Sequence, residues 1–228
     1  MQFRRGLFLI VAMLAFSGCT LLRSSGRAVD PGDDELQQAM TVGPNAKPIE
    51  VFNAAAIEQT TYTTSYDASY VRIDYPNGDV PAHTGVCADV VVRAFRKVGL
   101  DLQKELHEDM TRNFGKYPAK WGARKPDRNI DHRRVPNLMT WFERKGKGLP
   151  LTKNARDYQP GDVVTWALSD NRPHTGIVSK IRVPGAERYA IIHNIGLGAR
   201  LEDVLFSWEI TGHYRYFDEN QTGNRGRN

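Results

Sequence analysis

The stretch DVVTWALSDNRPHTGIV, residues 162–178, decides the fold class. Val163-Val164-Thr165-Trp166 is a β-branched and aromatic run, Ser169-Asp170-Asn171-Arg172-Pro173 interrupts it with turn-forming residues, and His174-Thr175-Gly176-Ile177-Val178 resumes it. Two short apolar runs separated by a polar turn read as paired antiparallel strands. Downstream, Tyr189-Ala190-Ile191-Ile192-His193 and Gly212-His213-Tyr214-Arg215-Tyr216-Phe217 repeat the pattern.

Upstream the period changes. From Pro48 to about Thr63, Ile49, Val51, Phe52, Ala55 and Ala56, with Gln59 beyond, fall at helical spacing, whereas Tyr70 to Tyr75 alternates as a strand does before the turn Pro76-Asn77-Gly78-Asp79. A helix from about Gly85 to Val98 follows, closed by Gly99, with Thr84 placed to cap its start. Its residues Val91, Ala94, Phe95 and Val98 recur every three or four positions, and Cys87 stands four before Val91 on the same face. A second helix spans about Asp101 to Phe114, a basic, turn-rich stretch runs from Lys116 to Arg134, and Val135 to Lys145 reads as a third helix started by Pro136. Helices first and an antiparallel sheet after predict an α+β fold, the helices packed on the sheet. No internal repeat is visible.

At 228 residues the chain can bury one substantial core, and 40% apolar content with four Trp, nine Tyr and nine Phe excludes wholesale disorder. The formal charge of +5 falls to +3 when Arg4 and Arg5 are removed with the leader, too weak to argue for nucleic acid. That leader, residues 1–18, is two arginines, an apolar run from Gly6 to Phe16 and Ser17-Gly18 before Cys19. Eleven apolar residues fall short of the ~20 that span a bilayer, so the segment reads as a cleaved signal. Residues 20–45, rich in Ser, Gly, Asp and Pro, read as a tether.

Export exposes the protein to an oxidising compartment, where thiols tend to be paired, and Cys87 is left over, either buried and inert or kept for its chemistry. A helix start supplies partial positive charge and unpaired N–H groups that favour a thiolate. A thiolate nucleophile further needs an imidazole to take its proton and a third polar group to orient that imidazole. His174 opens one strand and His193 ends the next; if the two pair as a hairpin, both imidazoles lie near one sheet edge and Cys87 completes a Cys-His-His set.

These residues resemble a known family. Pro160 to Trp166, His174 to Val178 and Ile191-Ile192-His193 resemble the strand pattern of the NlpC family of bacterial cell-wall cysteine peptidases, which are papain-like. More narrowly, Gly85 to Val91, Asn129 to Leu138 and His193-Asn194-Ile195-Gly196 resemble the domain of unknown function numbered 1287, grouped with those peptidases. The resemblance covers roughly residues 80–217 and implies Cys87 as nucleophile, His174 as general base and His193 as the orienting third residue. It departs where typical members have Asp before the Cys and Ser-Gly after it; here Val86 precedes and Ala88-Asp89 follow. Ala15-Phe16-Ser17-Gly18-Cys19 likewise resembles a lipobox, with Phe16 where Leu is usual, which implies lipidation of Cys19. Thr20 lacks the Asp that retains lipoproteins at the inner membrane, which implies the outer membrane.

The domain reading is then residues 1–18 signal peptide, 19–47 lipidated cysteine and tether, 48–220 NlpC-like cysteine hydrolase, and 221–228 polar tail. The implied activity is hydrolysis of an amide bond in peptidoglycan, through an acyl-enzyme and without a cofactor. Asp89, His132, Arg133, Arg134, Trp166 and Asn194 are the candidates for contacting substrate, Arg because its fork matches carboxylates. Three readings compete: a noncatalytic envelope-binding module on the same fold, an acyltransferase or lipid-deacylating thiol enzyme, and a metal site on Cys87, His174, His193 and His213. The last lacks any close CxxC, HxxxH or HExxH pair.

Overall fold

The computed structural model describes residues 26–217. The signal segment, Cys19 and the tail 221–228 lie outside the described residues. The elements in chain order are β1 (Arg27–Ala28), α1 (Asp33–Met40), α2 (Pro48–Tyr62), α3 (Cys87–Lys97), α4 (Leu102–Asn113), α5 (Val135–Arg144), β2 (Val163–Ala167), β3 (Pro173–Arg182), β4 (Tyr189–Asn194), β5 (Ala199–Asp203) and β6 (Glu209–Tyr214). The fold is α+β, as the change of period implies.

The strands form one antiparallel sheet in the order β1-β5-β4-β3-β2-β6. Helix starts follow from local chemistry. Pro48 opens α2 with its missing N–H at a position that needs none, and Glu50 accepts from the Lys47 N–H at 2.7 Å. Asp101 caps α4 by accepting from the Gln103 N–H.

The helices bury Phe52, Ile57, Val91, Phe95, Leu102, Leu106, Leu138, Trp141 and Phe142 against Val163, Ile177, Ile192 and Leu201 of the sheet. Side chains alternate along a strand, so the neighbours Val164, Trp166, Val178 and Ile191 form a second, smaller cluster with Tyr158, Val204 and Leu205. Asn53 of α2 pins the sheet to the helices: its Nδ2 donates to the Val178 carbonyl and its Oδ1 accepts from Lys180 N–H, at the irregularity between Val178 and Arg182.

Four expectations are corrected. Tyr70 to Tyr75 is not a strand: the Ile73 N–H donates to Asn129 Oδ1 and the Asp74 carbonyl accepts from Gln103 Nε2, so side chains serve the backbone groups a sheet would have used. Within the stretch read as a tether, β1 pairs with β5, α1 forms, and Val29 and Ala39 join the core. Strand β5 has no counterpart in the sequence reading. Thr84 does not cap α3; Asp89 instead accepts from the Val86 N–H at 2.6 Å. Among the described residues no helix is long and apolar enough to cross a membrane.

Candidate active site

Cys87 is the first residue of α3 and is buried. The turn into the helix depends on Gly85, which sits at φ +156°, where an added Cβ would stand 2.9 Å from Asp89 Oδ2. Asp89 is itself buried and held by Arg133, whose Nε and Nη2 donate to it at 2.9 and 3.0 Å. The helix start is thereby locked on two sides.

On the sheet, His174 lies opposite Trp166, which places its imidazole on the face of the second cluster. His174 Nε2 and His193 Nδ1 are 2.9 Å apart, with both rings buried. Gly176 makes room for them: a Cβ there would stand 3.0 Å from His193 Cβ and 2.7 Å from Ile191 Cγ2. Trp166 and Trp208 surround the pair at ring separations of 5.7 to 6.1 Å. On its far side His193 Nε2 lies 3.0 Å from Glu202 Oε2 on β5.

The thiol meets β3 one residue beyond His174, where the Thr175 backbone N–H donates to it. Burial pushes the Cys87 thiol up to about 11, against the opposing pull of the Thr175, Ala88 and Cys87 amides. The helix-start effect anticipated from sequence is present and is outweighed by desolvation. Burial, then the neighbouring His193 and Arg172, hold His174 well below the usual imidazole range. Both groups are therefore neutral near pH 7, and among the described residues no hydrogen bond joins the thiol to either imidazole. The His174–His193 bond engages Nε2 of His174 and leaves its Nδ1 outside that bond.

Of the candidates for contacting substrate, most turn inward. Asp89 and Arg133 bond to each other, and Arg133 also donates to the Asp67 and Ser69 carbonyls. His132 is buried, and burial together with Arg96 and Arg133 drives it down to about 3. Trp166 donates Nε1 to the Leu205 carbonyl. Asn194 donates Nδ2 to the carbonyls of Ser65 and Gly85, tying the end of β4 to the turn into α3. The polar groups of Asp89, Arg133, Trp166 and Asn194 are thus taken by protein, whereas the buried Nδ1 of His132 has no hydrogen-bond partner among the described residues. Arg134 alone stays partly exposed, over the ring of Trp121 and paired with Asp131.

Tyr66 and Glu202 were not legible as site residues. Tyr66 sits in a loop without periodicity, and burial pushes its hydroxyl up to about 12, with the nearby Cys87 contributing. His213, grouped with the site as a possible metal ligand, instead bonds Asp162 at 2.7 Å and stacks on Tyr158. No group of three or more His, Cys, Asp or Glu side chains among the described residues is arranged to hold a metal ion.

The model of a domain of unknown function, DUF1287, matches residues 53–216. This chain belongs to the DUF1287 family. The DUF1287 resemblance carried by Gly85–Val91, Asn129–Leu138 and His193–Gly196 is met. The uncharacterized protein YijF of Escherichia coli (strain K12) is 54% identical over 165 residues, covering 71% of this chain and 78% of that one. Among solved structures, a protein of Staphylococcus aureus subsp. aureus Mu50 described as similar to a lipoprotein of the NLP/P60 family aligns with a TM-score of 0.40 and 12% identity. That alignment covers 80% of this chain and 47% of the other, so this DUF1287 chain spans about half of that neighbour's length.

Proposed function

We propose that the chain is an envelope cysteine hydrolase that cleaves an amide bond in peptidoglycan stem peptides, lipid-anchored through Cys19 to the outer membrane. The observation that carries this reading is the thiol of Cys87 at the start of α3, set against Thr175, the residue that follows His174 on β3, with His174 itself hydrogen-bonded to His193. In the reaction the thiol proton passes to His174 Nδ1 as sulfur adds to the carbonyl carbon. The C–N bond then breaks, the amine leaves with that proton, and a thioester remains. Water gives a proton to His174 as its oxygen adds to the thioester; the C–S bond breaks and the thiolate recovers the proton. The N–H groups of Cys87 and Ala88 in the first turn of α3, which already act on the sulfur, are the donors nearest a developing oxyanion. The scheme uses no cofactor.

The raised thiol favours one alternative, a noncatalytic envelope-binding lipoprotein on the same scaffold. Incubating the protein with purified peptidoglycan and resolving released muropeptides by mass spectrometry separates the two. Fragments made by the unmutated protein but not by Cys87→Ala or His174→Ala support the hydrolase. No fragments, and no His174-dependent labelling of Cys87 by a thiol probe in a folded sample, favour the binding module. Labelling without fragments keeps the thiol chemistry and rejects peptidoglycan as substrate, which leaves acyl transfer or lipid deacylation.

A further inference from the structure

We propose that Glu202 is a positioning residue for His174, acting through His193 to select which ring nitrogen of His174 is the base. The inference rests on the hydrolase reading for its kinetic consequence, but its structural content stands apart from it.

Glu202 lies on β5 opposite Ile191, one diagonal step from His193, and is buried. A buried carboxylate is stable only with donors against it. His193 Nε2, at 3.0 Å, is such a donor. A neutral imidazole carries one N–H and one lone pair. If Nε2 of His193 holds its proton toward Glu202, its Nδ1 is a lone pair. His174 Nε2, 2.9 Å from that lone pair, must then supply the proton of their bond. The free nitrogen of His174 is consequently Nδ1, with its lone pair open to receive a proton. Removing the carboxylate removes the acceptor that sets this direction, since an imidazole without it can bond its neighbour in either sense. When His174 takes up the thiol proton, its Nε2–H bond becomes charge-assisted, and the carboxylate lies in line behind His193 to stabilise the cation.

The bland account is that Glu202 merely satisfies His193. It differs in one observable, because a residue that only fills space does not dictate the tautomer of a ring two hydrogen bonds away. The experiment uses the full chain in detergent, labelled with 15N-histidine, and reads the tautomer of each ring from long-range 15N–1H correlations. His174 and His193 are both expected as Nε2–H in the unmutated protein. In Glu202→Gln, whose amide can accept from or donate to His193, both tautomers of His174 are expected. The muropeptide assay should then show kcat down by about tenfold or more with KM within about twofold, since a triad member loses its orienter. Glu202→Leu is expected to act in the same direction, and Glu202→Gln, nearly the same size, remains informative if the Leu variant does not fold. A His174 that stays wholly Nε2–H in folded Glu202→Gln overturns the proposal, as does a His174 that is Nδ1–H in the unmutated protein. Tautomers that move as expected in a protein that releases no muropeptides support the positioning role and reject the peptidoglycan hydrolase reading.

Discussion

Arg133 grips Asp89 through two nitrogens in the protein interior, Nε at 2.9 Å from Oδ1 and Nη2 at 3.0 Å from Oδ2, with both side chains 3% exposed or less. Asp89 also accepts the Val86 N–H, so one carboxylate fixes the start of α3 while one guanidinium ties it to the loop carbonyls of Asp67 and Ser69. Arg133→Met is expected to cost about 3–5 kcal/mol, because it strands a buried carboxylate, and urea unfolding monitored by circular dichroism measures the loss. Arg133→Lys should recover little, since an ammonium cannot make both contacts. A change below about 1 kcal/mol in Arg133→Met would show that the pair is replaceable by water.

Gly176 is where a single methyl group meets the imidazole pair. Gly176→Ala should be destabilised by about 1–3 kcal/mol through crowding, since the new Cβ would lie 2.7 Å from Ile191 Cγ2 and 2.9 Å from the Ile192 carbonyl. The same displacement of His193 should abolish muropeptide release. Thermal unfolding together with the muropeptide assay tests both halves, and a variant with native stability and rate would mean that β4 yields freely.

Burial of Cys87 makes a pH prediction. A thiol held at about 11 is almost wholly protonated at neutral pH, so the rate of alkylation by iodoacetamide should rise about tenfold per pH unit between 7 and 10. A rate already level by pH 8 would show that the thiolate is stabilised more than its surroundings indicate.

His132 supplies the acid limb of stability. Its folded value, driven down to about 3 chiefly by burial, lies below the unfolded value near 6.5. Between those values the unfolded chain binds more protons than the folded one. The neutral ring's contribution is thus complete above about pH 6.5 and is lost as pH falls toward 3. His132→Leu should therefore lose less stability than the unmutated protein between pH 6.5 and 4 in paired urea titrations; equal slopes would sink the assignment.

Much of the helical half and of the central strands was legible from pattern alone. The expected helix from Gly85 to Val98 appears as Cys87–Lys97, and the strands around Thr165, Ile177 and Ile191 appear in order. Residues 199–203 were not legible because three of the five, Arg200, Glu202 and Asp203, are charged, and a run of this kind reads as a solvated turn until a partner strand covers it. Glu202 was hidden for the same reason. Val71 to Tyr75 shows the converse: alternation with no strand to receive it. Cys87, His174 and His193 could be picked out because their residue types are few and fall at element ends. The direction of the thiol's shift could not, since it depends on how much water is left around the sulfur.

The pairing of Arg27–Ala28 with β5 also sets a working radius. From Cys19 to Arg27 is eight residues, a contour of at most about 28 Å. A lipid on Cys19 would thus keep the folded body on a short leash, within a layer of the envelope about one domain deep. A free segment reaching to residue 47 would have allowed more than three times that range. With such a lipid, the strand that begins the fold would hold the folded body close to its membrane, and lengthening residues 20–26 should widen the zone it can reach.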